Sequence, residues 1–206
     1  MKAFMATALQ NFPHVRSEDN IAVMVVEAAG KNGVKIDDGD VIVLAQKIVS
    51  KAENRTVQLK NAVPSQRAKE IAKTTGKPPK FVELVLQETK SVIKASREVL
   101  LVEDRRGLVC INAGIDKSNV DDEGSLALLP ENPDASAEKC RAEIEGLTGK
   151  KVGVIVCDTY SRPFRRGQVN FAIGIAGISL FRDYRGKKDL FGHVLKVKNV
   201  AVVDEI

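Results

Sequence analysis

Aromatic residues are scarce in this chain of 206 residues: they make up 4% of it, and tryptophan is absent. Proteins that bind single-stranded nucleic acid without sequence preference commonly stack the bases on aromatic side chains. The composition therefore argues against a base-stacking surface. A basic nucleic-acid-binding module stays open as an alternative, because the net charge of +5 favours anionic partners in general.

Histidine and cysteine are also rare. His14 and His193 lie far apart and outside any metal-binding motif, which argues against a zinc site and against a Ser-His-Asp triad. Cys110, Cys140 and Cys157 are an odd number of cysteines without a CxxC spacing. We therefore expect reduced core thiols and an intracellular, cytoplasmic protein.

Long hydrophobic runs are missing as well. The longest nearly apolar stretch, residues 171–181, contains two glycines and a serine. A membrane-spanning helix needs about 20 apolar residues, so this stretch is too short. Residues 4–9 are likewise too short for the apolar part of an export signal.

The apolar periodicity predicts an α/β fold with α+β character, in one domain over residues 1–206. The predicted helices lie at 17–30 (capped by Ser17 and stopped by Gly30), 64–76, 78–93 and 134–149, with Ile93 and Leu147 on inner faces. The predicted strands lie at 2–9, 41–45, 98–103, 107–112, 152–158 and 200–203. The run at 41–45 does not alternate, which indicates burial on both faces.

The end of the sequence has a pattern of its own. A valine-rich strand is followed by Asp204 and Glu205, as at the beginning of a helix, where an N-cap and acidic residues are favoured. We therefore expect the sequence to be an incomplete domain.

Two aspartates are the first candidates for chemistry. Asp116 and Asp158 each follow an apolar, strand-like run and open a polar segment with hydroxyl and amide neighbours. Such oxygen ligands suit magnesium or manganese, which usually share their coordination with substrate phosphates. Aspartate is also favoured in turns for purely structural reasons, so at this point both interpretations stay open.

A basic segment follows the second aspartate. Arg162, Arg165 and Arg166 fall within five positions of one another. Arginines at this spacing could clamp an anion through charge and paired hydrogen bonds. A solvated basic loop is the alternative.

Five ordered blocks resemble one family, the coenzyme F420-0:gamma-glutamyl ligases, and the resemblance runs from about residue 8 to the last residue. The blocks lie at residues 40–53 (DVIVLAQKIVSKAE), 112–120 (NAGIDKSNV), 158–168 (DTYSRPFRRGQ), 172–177 (AIGIAG) and 183–186 (DYRG). The resemblance implies a GTP-dependent, GDP-forming ligase that adds L-glutamate to coenzyme F420-0 through an acyl phosphate. It also implies a family-specific fold with mixed sheets covered by helices, and an intertwined homodimer.

The resemblance implies a role for individual residues. Asp116 and Asp158 would bind Mn²⁺ or Mg²⁺, Thr159 would assist at a second ion, and potassium is a further expected cation. Arg165 and Arg166 would supply positive charge to the phosphoryl transfer. The residues expected to contact the nucleotide are Phe12, Pro13, His14, Val15, Gln46, Lys47, Lys51 and Asn119.

The sequence departs from the family pattern at three places. Ser161 stands where the family usually has glycine, and His14 replaces an acidic or aliphatic residue. Family members also continue past Asp204 and Glu205 into a helix and a glycine-rich loop that binds phosphate. A nucleotide-binding protein without ligase activity is therefore the main alternative.

Overall fold

The structure, a computed structural model, describes residues 4–117, 124–161 and 165–206. Within these ranges helices and short strands are mixed along the chain, so the predicted mixed α and β class is confirmed. The helices are α1 (Ile21–Lys31), α2 (Gln46–Ala52), α3 (Gln66–Thr75), α4 (Pro79–Gln87) and α5 (Pro133–Thr148). The strands are β1 (Val41–Ala45), β2 (Thr56–Gln58), β3 (Thr89–Ser96), β4 (Val99–Asp104), β5 (Val109–Ile111), β6 (Ser125–Ala127), β7 (Gly153–Ser161), β8 (Gln168–Ala176), β9 (Phe181–Asp183) and β10 (Asn199–Ala201). In this described part of the chain, no helix is both long and apolar enough to cross a membrane.

The chain divides into two compact units. Unit 1 contains Met1–His14, Asn20–Ala45 and Pro133–Ile206. Unit 2 contains Val15–Asp19 and Gln46–Asn132. The single ligase domain over residues 1–206 stays a prediction.

A mixed sheet forms the centre of unit 1, with the described strands in the order β1, β7, β8. Strand β1 runs parallel to β7, and β8 runs antiparallel to it. Helix α5 packs on β7 and β8 and also against α1. Val154, Ile155 and Val156 of β7 are completely buried in the core of this unit, and each contributes roughly 1.5–3 kcal/mol by leaving water.

Strand β8 and the beginning of α5 approach each other closely. A Cβ atom on Gly174 would clash with the backbone of Pro133, so this position has no room for a side chain. In addition, the Ile175 amide donates to Asp134 Oδ1 at 2.8 Å. Asp134 therefore ties the first turn of α5 to a strand.

A second small sheet lies near the end of unit 1, where β9 and β10 pair antiparallel. The chain then forms a 3-10 turn over Val202–Asp204. Asp204 Oδ1 accepts a hydrogen bond of 2.8 Å from the Ala172 amide, and this contact fastens the turn to β8.

Unit 2 is built from two antiparallel sheets and three helices within the described residues. One sheet has the order β3, β4, β5, and the other pairs β2 with β6. Helices α3 and α4 pack together, and Val82, Val85 and Phe81 of α4 are buried. The predicted hairpin before Asp116 is confirmed as β4 and β5, joined by a turn at Gly107.

Local capping signals predicted helix α3 correctly. Ser65 Oγ accepts from the Ala68 amide at 3.2 Å, and Gly76 ends the helix with a left-handed backbone. Glycine tolerates this conformation because it has no Cβ. The prediction for α1 was wrong in its ends: Asn20 is the N-cap, and Gly30 lies inside the helix.

Several other sequence predictions need correction. Residues 4–9, expected as a strand, have no regular secondary structure. Strand β1 exists, but the expected burial on both faces is wrong: Val43 is half exposed, whereas the next residue, Leu44, is buried. Successive side chains of a strand point to opposite faces, so the face that carries Leu44 packs into the core and the face that carries Val43 does not. Ile93 belongs to β3 instead of a helix, since α4 ends at Gln87, and Leu147 of α5 is half exposed.

Candidate functional site

Asp116 is presented by an unusual turn in unit 2. Asn112, Ala113 and Gly114 all have positive φ angles, of 55°, 53° and 70°. Left-handed backbone is uncommon for residues other than glycine, and such strain often occurs at functional sites. The turn ends in a short antiparallel bridge, in which Asp116 and Ala127 exchange backbone hydrogen bonds of 3.0 and 2.9 Å.

The carboxylate of Asp116 lies against a lysine of helix α2. Lys47 Nζ is 2.7 Å from Asp116 Oδ2, and the two side chains are 24% and 38% exposed. An ion pair that remains open to water holds its groups in place but contributes little to stability. The pairing joins two residues that the sequence singled out separately, and it leaves both side chains partly exposed to solvent.

Gln46 begins α2 and is almost completely buried. Its Oε1 accepts a 2.8 Å hydrogen bond from Ser50 Oγ, whereas its Nε2 is buried without a partner among the described residues. A buried donor without an acceptor costs free energy unless a ligand or water satisfies it. Lys51, one position after Ser50, is partly exposed.

Asp158 lies within strand β7, in unit 1. It was expected at the end of the strand, but β7 continues to Ser161 because β8 supplies pairing partners at every position, with Phe171 opposite Asp158 and Asn170 opposite Thr159. Successive side chains of a strand point to opposite faces. Asp158 and Thr159 therefore face different sides of the hairpin, an arrangement that suits two separate ions better than one shared ion.

Each face of this hairpin has its own neighbours. Thr159 Oγ1 donates to Asn170 Oδ1 at 2.9 Å. On the other face, the rings of Tyr160 and Phe171 meet edge to face, with centroids 4.9 Å apart. The sequence did not single out Asn170, and only knowledge of the β7 and β8 register could have found it.

Cys157 precedes Asp158 and is half buried. Its burial raises the pKa of the thiol to about 11, and the nearby carboxylates of Asp204 and Asp158 act in the same direction. A thiol with this pKa is protonated at neutral pH and is a poor nucleophile. The expectation of a reduced thiol is consistent with this environment.

The remaining predicted residues are spread over both units. Arg165 and Arg166 are exposed, and Arg165 Nε donates to the carbonyl of its neighbour at 3.4 Å. Phe12, Pro13 and His14 lie in irregular backbone of unit 1, whereas Val15 is buried in unit 2. Asn119 and Arg162 lie outside the described residues.

The structure thus brings together part of the predicted set. Lys47 and Asp116 form one pair, and Asp158 and Thr159 share a hairpin strand. The two aspartates belong to different units, so their convergence on one metal site stays a prediction.

The oxygen donors of these residues fit a hard divalent cation. Carboxylates and a hydroxyl are the ligand types that magnesium and manganese prefer. In residues 4–117, 124–161 and 165–206 there is no group of three or more His, Cys, Asp or Glu side chains that could hold a metal.

The sequence also matches a known protein family. Residues 10–206 match the F420-0:Gamma-glutamyl ligase family. The match covers nearly the whole sequence, so the chain belongs to this family and is of the ligase class. Its resemblance to these ligases is confirmed.

Three relatives carry a more particular name, coenzyme F420:L-glutamate ligase. The protein of Archaeoglobus fulgidus is 48% identical over 96% of this chain and 77% of its own length. The Methanocaldococcus jannaschii protein is 47% identical over 83% of this chain and 68% of its own length. The Methanothermobacter thermautotrophicus protein is 43% identical over 96% of this chain and 78% of its own length.

Proposed function

We propose that the protein is a coenzyme F420-0:L-glutamate ligase that uses GTP and releases GDP. The observation that carries this proposal is the family match over residues 10–206 together with relatives named coenzyme F420:L-glutamate ligase at 43–48% identity. The pairing of Lys47 with Asp116 supports it, because it places a cation and a carboxylate from two predicted site segments within 2.7 Å.

The proposed reaction has two steps. A carboxylate oxygen of coenzyme F420-0 attacks the γ-phosphorus of GTP, the bond to the bridging oxygen breaks, and GDP leaves. The amine of L-glutamate then attacks the carbonyl carbon of the acyl phosphate, loses a proton, and expels inorganic phosphate. An amide bond has formed, and the cleavage of GTP has supplied the driving force.

The side chains of this protein mainly position the phosphates and balance their charge, as in other phosphoryl transfers. Lys47 and Lys51 are one helical turn apart on α2 and supply fixed positive charge for the nucleotide. Arg165 and Arg166 are exposed and available to the transferred phosphoryl group. The buried Nε2 of Gln46 supplies a donor that a nucleotide group can satisfy.

Asp116, Asp158 and Thr159 would hold Mn²⁺ or Mg²⁺, with potassium as a further cation. A divalent ion supplies charge neutralisation at the phosphate oxygens when it is bound. The contribution of the protein is to keep Asp116 in its bridge to Ala127, and Asp158 and Thr159 in the paired strand β7.

Product analysis tests this proposal directly. The protein is incubated with coenzyme F420-0, L-glutamate, GTP or ATP, and each metal, and mass spectrometry detects the glutamylated product and the nucleoside diphosphate. We expect product with GTP and metal, and its loss in Asp116→Asn and Asp158→Asn. Lys51→Ala is expected to raise the KM for GTP.

Asp37→Asn is a matched control, because Asp37 is an exposed aspartate that also pairs with a lysine, Lys150, but lies outside the predicted site. It is expected to retain full activity. Nucleotide binding without product in the unaltered protein would contradict the ligase assignment and favour the catalytically inactive alternative. Full activity of Asp116→Asn would contradict the site.

We also propose that the protein forms a homodimer through the segment between β9 and β10. Leu190 and Phe191 are 98% and 85% exposed, although they occupy a well-defined turn in which the Phe191 and His193 amides both donate to Asp189 at 2.9 Å. Large apolar side chains held out in an ordered turn are typical of association surfaces. A second copy is the partner that the family resemblance favours.

Light scattering after size exclusion tests the homodimer. The double variant Leu190→Ser and Phe191→Ser is expected to run as a monomer with an unchanged circular dichroism spectrum. Leu147→Ser, at a half-exposed apolar position on α5, is the control and is expected to stay dimeric. A dimer that survives the double variant would show that this segment is not the interface.

A further inference from the structure

We propose that Arg55 and Arg106 are positioning residues for Asp116. They act through residues 127–130, which we call the clamp segment. The catalytic consequence rests on the proposed function of Asp116, whereas the structural consequence does not. All of the residues involved belong to unit 2.

Arg55 holds the clamp segment with both its backbone and its side chain. Its carbonyl accepts from the Leu128 amide at 2.9 Å, and its Nε donates to the Leu129 carbonyl at 3.1 Å. In the same guanidinium, Nη2 donates to Glu88 Oε2 at 2.8 Å and Nη1 donates to Glu131 Oε1 at 3.3 Å. The side chain is only 17% exposed, so these contacts are largely shielded from water.

Arg106 holds the next residue of the same segment. Its Nη1 donates to the Pro130 carbonyl at 2.8 Å, and its Nε donates to Asp104 Oδ2 at 2.8 Å. Asp104 is completely buried, and its Oδ1 accepts from the Arg106 and Leu108 amides at 2.9 Å each. The carboxylate of Glu88 lies between the two guanidiniums, 3.9 Å from Arg106 Nη1.

The clamp segment contacts the Asp116 turn at two points. Ala127 exchanges both backbone hydrogen bonds with Asp116, at 3.0 and 2.9 Å. Leu129 packs under Gly114 so closely that a Cβ atom there would lie 2.5 Å from Leu129 Cδ1. A movement of the clamp segment would therefore move both the carboxylate and the left-handed turn that presents it.

Arginine is suited to this task for geometric reasons. A guanidinium presents several N–H donors in a fixed plane, so one side chain can join a carbonyl and one or two carboxylates at set angles. Lysine carries a point charge on a flexible stem and cannot reproduce these contacts together. The conservative changes Arg55→Lys and Arg106→Lys keep the positive charge and remove the planar set of N–H donors. They are therefore the appropriate test.

Hydrogen exchange of the full-length variants, read by mass spectrometry without metal or substrate, tests the structural part. We expect exchange in peptides covering residues 112–117 and 124–131 to accelerate by roughly tenfold or more, a local loosening, while α3 is unchanged. Arg141→Lys is the matched control, because Arg141 also joins two carboxylates, Glu138 and Glu145, but on the surface of α5 in unit 1. It is expected to leave both peptides unchanged.

Steady-state kinetics test the catalytic part. The metal concentration for half-maximal rate is expected to rise and kcat to fall, each by roughly 10–100-fold, as for other residues that orient metal ligands. The KM for GTP should change little, because Lys47 and Lys51 are untouched. If the unaltered protein makes no glutamylated product, the proposed function fails, but the exchange experiment still decides whether the clamp exists.

Two results would overturn the proposal. One is unchanged exchange at residues 112–117 in folded Arg55→Lys and Arg106→Lys. The other is uniform acceleration over the whole unit, which would show that the arginines stabilise the fold without orienting Asp116. If either variant does not fold, Leu129→Val is the alternative test. Valine is shorter than leucine, so this change weakens the packing against Gly114 and leaves the ion pairs intact. It is expected to loosen the same two peptides, and an unchanged pattern would refute the clamp.

Discussion

Lys47 Nζ lies 2.7 Å from Asp116 Oδ2, so a lysine of helix α2 and an aspartate that follows a strained turn form one ion pair in unit 2. The two residues are far apart in sequence. Their pairing gives the candidate site a defined arrangement before any ligand binds. The contribution of the pair can therefore be measured by changing the two residues singly and together.

The first prediction concerns this pair. Lys47→Gln and Asp116→Asn are each expected to change the free energy of unfolding by no more than about 1 kcal/mol, because both side chains are partly exposed to water. A double-mutant cycle in urea should give a coupling energy of roughly 0.2–1 kcal/mol. A coupling of several kcal/mol would show that the pair is a structural element, and would count against an accessible site.

The second prediction concerns Gly114. Gly114→Ala is expected to destabilise the protein by roughly 1–3 kcal/mol, because a methyl group would overlap Leu129 and the backbone has φ of 70°. Gly146→Ala is the control: this glycine lies inside α5 with nothing within 4 Å of the added Cβ. It is expected to stabilise by roughly 0.5–1 kcal/mol, as alanine does in a helix. Denaturant unfolding measures both, and equal effects of the two changes would contradict the close packing.

The third prediction concerns Cys157. Burial raises the pKa of this thiol to about 11, so its alkylation by iodoacetamide in the folded protein should have a midpoint near pH 11. The unfolded thiol loses its proton near pH 9, and the stability that the protonated thiol provides is therefore present below that pH and is lost as pH rises toward about 11. Rapid alkylation at neutral pH would contradict this environment.

Asp204→Asn provides a control for the same measurement. The change removes one of the two negative charges that raise the pKa of Cys157, so the midpoint of alkylation should fall. It should stay above the ordinary value, because burial is the largest cause of the shift. An alkylation midpoint at pH 9 would show that the charge of Asp204, rather than burial, raises the pKa of Cys157.

The fourth prediction concerns Asp183, in the last block shared with the family. Its carboxylate accepts from Arg185 Nε and Nη2 at 3.0 and 2.7 Å, and this pairing lowers the pKa of Asp183 to about 2. The carboxylate of the folded protein should therefore have its titration midpoint near pH 2. The stability that the ion pair provides is fully present above about pH 4, the ordinary pKa of aspartate, and is lost as pH falls toward 2. Carboxyl carbon chemical shifts should show this midpoint, and Arg185→Gln should move it up toward its ordinary value. An equal midpoint in both proteins would contradict the pairing.

Sequence patterns correctly predicted the elements that are stabilised by contacts between residues close in sequence. Helix α3 was correct because Ser65 and Gly76 cap it through contacts within a few residues. Strand β3 was missed because its partner β4 decides its structure. The end of β7 was placed too early for the same reason: β8 supplies the hydrogen bonds that carry the strand past Asp158.

In the candidate site, too, the sequence revealed local features but not the contacts between distant residues. Asp116 was identified from its polar neighbours, and the glycine of its turn was visible in the sequence. The contact with Lys47 and the support from residues 127–130 depend on long-range pairing, which the printed sequence does not reveal. Asn170 became apparent only from its register opposite Thr159.

The paired strands β7 and β8 separate two sets of chemical groups. One surface of this ribbon carries Asp158 with the Tyr160 and Phe171 rings, and the reverse surface carries Thr159 hydrogen-bonded to Asn170. Substitutions on one surface leave the backbone ladder and the opposite surface intact. The two surfaces can therefore accept substitutions independently of each other, because neighbouring side chains of a strand point to opposite faces.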